Sequence, residues 1–271
     1  MYACDFEYDG RYLSDFGYII CKFDSNGGVD TSSKGSEIEF TKVALHSGKK
    51  YYASGTKYNE CLTATFQICR NPELYTDDVF EITREDFRDL SRWLNRRRYY
   101  KFRTFDMAQE YLPQPYYYAT FNLTKIEVDG RIYGVELKLT TNSPFGYAPE
   151  KWFTHKFDGG DSVLFSDPSD EIGNTYPTTI ITCKEDGDVE ITNDFTGCDM
   201  VIKNCTSGEV ITLSGETMII TSSDEDHDIA NDFNYDFFSF GNSFENRSNI
   251  ITSSAACKFE IGYEAIVKDT I

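Results

Sequence analysis

The second half of the chain is a succession of short runs of β-forming residues, separated by turns at intervals of about ten residues. The turns contain glycine: Asp186-Gly187, Thr196-Gly197, Ser207-Gly208 and Ser214-Gly215. The runs are 178–183, 189–193, 200–204, 210–213, 218–221 and 259–267. Because runs this short and this regularly spaced leave no room for long helices, they predict an antiparallel β-sandwich or jelly roll.

The first half also has the pattern of strands. Residues 6–20 alternate between apolar and polar side chains, residues 43–68 contain good β formers separated by glycine turns, and two more alternating runs cover 116–122 and 125–139. Tyr and Phe, which favour strands, number 19 and 21. We therefore predict a chain that is mainly β.

One amphipathic helix is predicted at 83–98. Thr83 is a good N-cap with Asp86 three residues later. Apolar residues then recur at spacings of three and four: Phe87, Leu90, Trp93 and Leu94. Three arginines at 96–98 suit the negative end of the helix dipole. They indicate either a solvated helix end or a site for a phosphate or a partner.

Length and charge both predict two domains. A chain of 271 residues is long for one hydrophobic core. Residues 1–140 contain 19 Lys and Arg against 21 Asp and Glu, whereas residues 141–271 contain 7 against 24. The breaker cluster Thr141-Asn142-Ser143-Pro144 coincides with this change. We expect an N-terminal β-rich domain with one helix at 1–140 and a C-terminal β-sandwich at 141–271.

The overall charge of −19 argues against nucleic acid as a partner, because a surface that follows phosphates needs clustered cations. Membrane insertion is not expected either, since no stretch approaches the roughly 20 apolar residues of a span. The chain opens without a charged and then apolar leader, so we expect synthesis without a secretion signal. Its eight cysteines show no redox or zinc spacing and are expected to be reduced.

No catalytic or cofactor motif is present in the sequence. His46, His155 and His227 lie in unrelated segments, and none belongs to a metalloprotease or nucleophile motif. The acidic run 224–228 could supply oxygen ligands to Ca²⁺, but it lacks the spacing of an EF-hand and is interpreted as a solvated loop. A pair of acids for glycoside hydrolysis cannot be singled out among 45 carboxylates. We predict a protein that is not an enzyme and binds no cofactor.

A glycan-binding module is the main alternative. Exposed aromatic side chains on a β-sandwich can act as platforms for sugars, and Trp152, Phe153 and Tyr147 are the candidates, although each could equally pack in a core.

The order of short motifs along the chain resembles the distal tail protein family of long-tailed phages and prophages of Gram-positive bacteria. In the first half these motifs are 6–10 (FEYDG), 14–17 (SDFG), 48–52 (GKKYY), 58–66, 91–96 (SRWLNR) and 99–102 (YYKF). In the second half they are 143–147 (SPFGY), Gly208-Glu209, 232–234 (DFN), 249–251 (NII) and 259–263 (FEIGY). The segment 150–175 lies outside the resemblance.

The resemblance implies a structural role at the tip of the phage tail, in a virion assembled from protein made in the host cytoplasm. N-terminal domains of this family form a hexameric ring, and their C-terminal domains are galectin-like or carbohydrate-module-like β-sandwiches. The ring joins the tail tube protein to the tail-associated tip protein, and in some phages it also carries a receptor-binding protein. A fold of this kind does not by itself confer sugar binding.

The hairpin-rich segment 43–68 is our candidate for the ring interface. A closed ring uses heterologous contacts, in which one face of a subunit meets a different face of its neighbour. Lys49, Tyr51, Tyr52 and Tyr58 are the predicted contact residues. The tyrosines could also be core residues.

Overall fold

The computed structural model describes residues 3–23, 37–46, 48–75, 80–106 and 115–268. They form two compact units with separate hydrophobic cores: an N-terminal unit that extends along the chain to Ala148, and a C-terminal unit, Pro149–Val267. The sequence predicted a boundary near residue 140. In the structure the last long strand of the N-terminal sheet continues to Thr141, and the next seven residues remain with that unit.

The described part of the N-terminal unit contains ten strands, one short 3₁₀ helix (Ser14–Phe16) and one α-helix, α1 (Arg84–Leu94). The strands are β1 (Ala3–Tyr8), β2 (Arg11–Tyr12), β3 (Tyr18–Cys21), β4 (Ile38–Ala44), β5 (Tyr51–Tyr58), β6 (Thr63–Arg70), β7 (Tyr100–Asp106), β8 (Tyr117–Val128), β9 (Arg131–Thr141) and β10 (Gly146–Tyr147). Seven of them form one antiparallel sheet in the order β2-β1-β7-β8-β9-β6-β3.

Helix α1 begins at the predicted N-cap and ends four residues before the predicted end. Thr83 and Asp86 form a capping box, in which the backbone N–H of each residue donates to the side chain of the other, at 2.8 and 3.2 Å. The Arg96 carbonyl accepts from the Thr120 hydroxyl of β8, and the Arg96 side chain pairs with Asp9 at 2.6 Å. These contacts hold residue 96 in the connection to β7 and outside the helix.

Aromatic rings fill the space between α1 and the sheet. Trp93 stacks on Phe6 and Phe16 with ring centroids 5.9 and 4.3 Å apart, and its indole N–H donates to the Tyr8 carbonyl at 3.2 Å. Phe6, Tyr8 and Trp93 are all buried. The amphipathic face predicted for α1 therefore packs on the sheet, with the indole N–H satisfied as burial requires.

The C-terminal unit contains twelve strands and the one-turn helix α2 (Ile229–Asp232). The strands are β11 (Lys151–Asp158), β12 (Asp161–Ser166), β13 (Gly173–Thr175), β14 (Thr178–Cys183), β15 (Gly187–Asn193), β16 (Cys198–Cys205), β17 (Val210–Ser214), β18 (Ile219–Ser222), β19 (Phe240–Asn242), β20 (Ser248–Ser253), β21 (Ala256–Tyr263) and β22 (Ile266–Val267). A five-stranded sheet has the order β11-β21-β14-β17-β18, and a four-stranded sheet has the order β12-β20-β15-β16.

The inner faces of these two sheets form the core of a β-sandwich. Residues alternate between buried and partly exposed along β14 and β21, as expected of strands with one face towards the core. Ile181, Ile191 and Phe259 are fully buried in it. The predicted fold class is confirmed: the chain is mainly β, with two domains, few helices and antiparallel sheets.

Candidate assembly surface

The hairpin formed by β4 and β5 is a sheet of its own, since neither strand pairs with another strand among the described residues. Every residue of β4 is exposed, and in β5 only Tyr58 is partly buried. A strand in a folded domain usually buries at least one face. Here both faces of the hairpin meet solvent along most of its length.

Large apolar side chains occupy both faces. Phe40 is 49% exposed, Tyr51 69% and Tyr52 64%, and Ile38, Val43 and Leu45 are exposed to a similar degree as Phe40. An isolated two-stranded hairpin is marginally stable in water, and a cluster of exposed apolar side chains marks an interaction surface. The hairpin therefore has the properties of an element that is completed by another chain.

The strand register assigns the side chains to the two faces. Ile38 is opposite Tyr58 and Ala44 is opposite Tyr51, while Val43 is opposite Tyr52. Directly opposed residues share a face, and successive residues alternate between faces. Tyr51 and Tyr52 thus project from opposite faces of the hairpin, so that a partner would have to enclose the hairpin to cover both.

The turn of the hairpin carries Lys49. The Leu45 N–H donates to the Lys50 carbonyl at 3.0 Å, and Gly48 adopts φ +65°, a conformation that glycine accommodates without strain. Lys49 is exposed in this turn. Ser47, which precedes Gly48 in one of the glycine turns predicted within 43–68, lies outside the described residues.

The base of the hairpin attaches it to the rest of the N-terminal unit. The Tyr58 ring packs edge-on against Phe145 at 4.8 Å, and the Asn59 N–H donates to the Glu37 carbonyl at 3.1 Å. The two ends of the hairpin are therefore adjacent. Tyr58 contributes to packing within its own chain.

All four predicted contact residues lie on this one hairpin, with Lys49 in the turn, Tyr51 and Tyr52 largely exposed and Tyr58 at the base. Tyr51 and Tyr52 are not core residues. The predicted contact residues do not include the exposed apolar residues of β4, such as Phe40. Their alternation at 38–43 was the available signal, but it is also what a half-buried strand shows.

The three arginines at 96–98 do not form one uniform patch. Arg96 is held between the Asp9 carboxylate and the Tyr100 ring, whose centroid lies 4.6 Å from the guanidinium carbon. Arg97 and Arg98 are exposed. At least one member of the run therefore has a structural role.

The side chain of His227, in the acidic run 224–228, is buried rather than solvated. Its Nδ1 donates to the Glu209 carboxylate at 2.6 Å, its Nε2 lies 3.4 Å from Asp232, and its side chain is 3% exposed. Burial favours the neutral ring, but the hydrogen bond and charge of Glu209, together with a backbone hydrogen bond at Lys203 and the charge of Asp232, outweigh that effect and raise the pKa of His227. Burial acts against the Glu209 carboxylate too, but hydrogen bonds from Ser222 and His227 lower its pKa.

Within the ranges that the structure describes, no group of His, Cys, Asp and Glu side chains is arranged to hold a metal ion. Likewise, none of the helices in those ranges is long and apolar enough to cross a membrane.

Two adjacent family matches cover most of the chain. Residues 1–143 match the family described as phage tail protein N-terminal domain. The chain belongs to this family of phage tail proteins. Residues 145–263 match a second family, described as phage tail C-terminal domain. This chain is therefore a component of the virion tail, as its sequence predicted.

The fold is shared with a solved tail protein. The crystal structure of Dit (gp 19.1) from SPP1, described as a paradigm of the hub adsorption apparatus in phages that infect Gram-positive bacteria, matches with a TM-score of 0.66. The match covers 96% of this chain and 98% of SPP1 Dit at 13% sequence identity. A comparison with curated proteins gave no match. The predicted resemblance to distal tail proteins is thus confirmed.

Proposed function

We propose that this chain is the hub of the tail tip. Six copies form a ring that joins the tail tube protein to the tail-associated tip protein, and this ring is also the attachment point for a receptor-binding protein. Its role is structural and non-enzymatic. The proposal is supported by membership of the tail protein family and by the fold shared with SPP1 Dit, itself described as part of a hub.

The observation that carries the proposal is the exposed hairpin β4–β5. Its apolar side chains face water on both sides, and its base packs on the N-terminal unit through Tyr58 on Phe145. In a ring, the hairpin of one copy would lie against a different surface of the next copy, which is the heterologous contact that a cyclic assembly requires. Tyr51 and Tyr52 would become buried there, and Lys49 would lie at the polar rim.

Charge favours the N-terminal unit as the part that forms the ring. Residues 1–140 carry a net charge of only −2, whereas residues 141–271 carry −17. Bringing six copies of the more acidic surface into contact would concentrate like charges at short distances. Contacts between copies are therefore expected to come from the first unit.

Negative-stain electron microscopy of the purified full chain tests the proposal. We expect closed rings of six subunits, either alone or when the tube and tip proteins are added. Single particles of monomer size under both conditions would contradict it.

A further inference from the structure

Trp152 lies flat on the outer face of the five-stranded sheet. It stands opposite Gly262 in the pairing of β11 with β21, and 48% of its side chain is exposed. A Cβ atom added to Gly262 would lie 2.6 Å from Cζ2 and 2.8 Å from Cε2 and Cη2 of the indole. The six-membered ring therefore covers the space that any other side chain at 262 would occupy.

This arrangement makes the indole a flat platform. One face of the ring lies over the backbone of Gly262, which is buried, and the ring as a whole remains half exposed. Glycine inside a strand often marks a place where another group approaches the backbone closely. The indole packs on Gly262 through one face of its ring. The opposite face of the ring remains available to a ligand.

Hydrogen-bonding groups stand beside the platform on the same face. Thr154 and Glu260, each two residues along its strand from Trp152 or Gly262, are directly paired. The Thr154 hydroxyl donates to the Glu260 carboxylate at 3.3 Å, and the Lys258 ammonium lies 2.8 Å from it. Because the repeat of two residues along a strand is about 6.8 Å, these groups lie about one sugar ring away from the indole.

The next strand, β14, continues this face with two threonines and one apolar residue. Thr178 is opposite Gly262, Ile180 is opposite Glu260 and Thr182 is opposite Lys258. All three are partly exposed. The face therefore offers one aromatic surface surrounded by hydroxyl, carboxylate and ammonium groups.

We propose that this outer face, centred on Trp152, binds a neutral pyranose saccharide. The C–H side of a pyranose ring is apolar and packs on the negative face of an indole. Its hydroxyls both donate and accept, so they can pair with the Glu260 carboxylate and with the Lys258 and Thr154 donors. An anionic polymer is disfavoured, because residues 141–271 carry a net charge of −17. The proposal does not depend on ring formation by the N-terminal unit.

Binding of the full chain to an array of neutral gluco-, galacto-, rhamno- and N-acetylhexosamine oligosaccharides is the first measurement. Saturable retention of at least one neutral probe is expected. Iodide quenching gives an independent signal, because the chain has two tryptophans and Trp93 is only 3% exposed, so that quenching reports Trp152. Sugar should protect Trp152 from iodide. A folded chain that retains no neutral probe, or only teichoic acid, would overturn the proposal.

Three variants locate the site. Trp152→Ala should weaken binding by roughly tenfold or more, about the loss expected for one aromatic stacking contact. Gly262→Ala should give a similar loss while retaining the tryptophan, because its Cβ would displace the indole. Phe244→Ala is the matched control, since Phe244 is 90% exposed and lies outside this face. With folding checked by circular dichroism, equal sugar affinity in all three variants would refute the assignment.

Discussion

At the scale of single residues, Tyr51 and Tyr52 carry the most testable part of the proposed interface. We expect the double substitution Tyr51→Ser with Tyr52→Ser to dissociate the ring, because buried tyrosines at interfaces are frequent hot spots worth about 2 kcal/mol each. Thermal unfolding of the subunit should change little, since both side chains are exposed within the chain. Analytical ultracentrifugation measures the first effect and circular dichroism the second.

Tyr99→Ser is the matched control for that double substitution. Tyr99 is 48% exposed and lies in the connection before β7, outside the hairpin. We expect this variant to assemble as the unchanged chain does. Rings that persist in the double variant at low micromolar concentration would show that the interface lies elsewhere.

The buried His227–Glu209 pair predicts that the stability of the C-terminal unit depends on pH. The folded pKa of His227 is raised above 6.5, so its contribution to stability is complete below pH 6.5 and is lost as pH rises through the raised pKa. The folded pKa of Glu209 is lowered below 4.5, so its contribution is present above pH 4.5 and is lost as pH falls through the lowered pKa. The pair therefore stabilises the fold most between pH 4.5 and 6.5.

His227→Gln should destabilise the C-terminal unit at pH 6 by on the order of 3 kcal/mol, because it leaves a buried carboxylate without its cation. The difference in the free energy of unfolding between the variant and the unchanged chain should shrink at pH 9, because His227 is then closer to neutral in both the folded and the unfolded state. Urea unfolding at the two pH values measures it. His155→Gln, whose ring lies 3.9 Å from Asp161, serves as the control. An identical loss at both pH values would contradict charge pairing.

The His227 pair also shows why some residue-scale features could not be predicted. His227 and Glu209 are 18 positions apart and meet only because β17, β18 and the loop after them fold together. In sequence, His227 is surrounded by four acidic residues, a composition that indicates a solvated loop. The cap at Thr83, in contrast, was predictable because both partners lie within one turn of a helix.

At the scale of elements, the hairpin β4–β5 should be separable from the fold. The Asn59 N–H donates to the Glu37 carbonyl, so the ends of the hairpin are close enough for a short link. We expect a chain in which residues 39–57 are replaced by Gly-Gly, so that Tyr58 keeps its contact with Phe145, to fold with a thermal midpoint within a few degrees of the original and to remain monomeric. Light scattering and circular dichroism test both parts. Unfolding of this variant would mean that the hairpin supports the subunit itself.

Helices and strands with a strong local sequence pattern could be predicted, but the residues that pack against them could not. Helix α1 and the strands of the C-terminal sandwich follow from periodicity at three to four and at two residues. The alternation in β4 correctly indicates a strand, but it does not reveal whether the apolar face packs on its own core or on another chain. Likewise, the end of α1 depends on Arg96 contacts with Asp9 and Thr120, which are distant in sequence.

At the scale of the whole molecule, the uneven charge was the informative feature. It indicates two domains without reference to any strand, and the chain does divide into two compact units with separate cores. The position of the division could not be read from charge, because the last long strand of the first sheet ends at Thr141, the first residue of the breaker cluster, and the next seven residues remain with the first unit. The number of charged residues reflects the surface of each unit. The position at which one unit ends and the next begins is set by strand pairing.

The central claim, that six copies of this chain form a ring, is tested most directly by its mass in solution. Multi-angle light scattering on the purified full chain, over a range of concentrations and at moderate salt, should give a plateau at six times the 31.1 kDa mass of one chain. Adding the tube or tip protein should stabilise that species at lower concentration. A mass of one chain at every concentration, with and without those proteins, would contradict the claim.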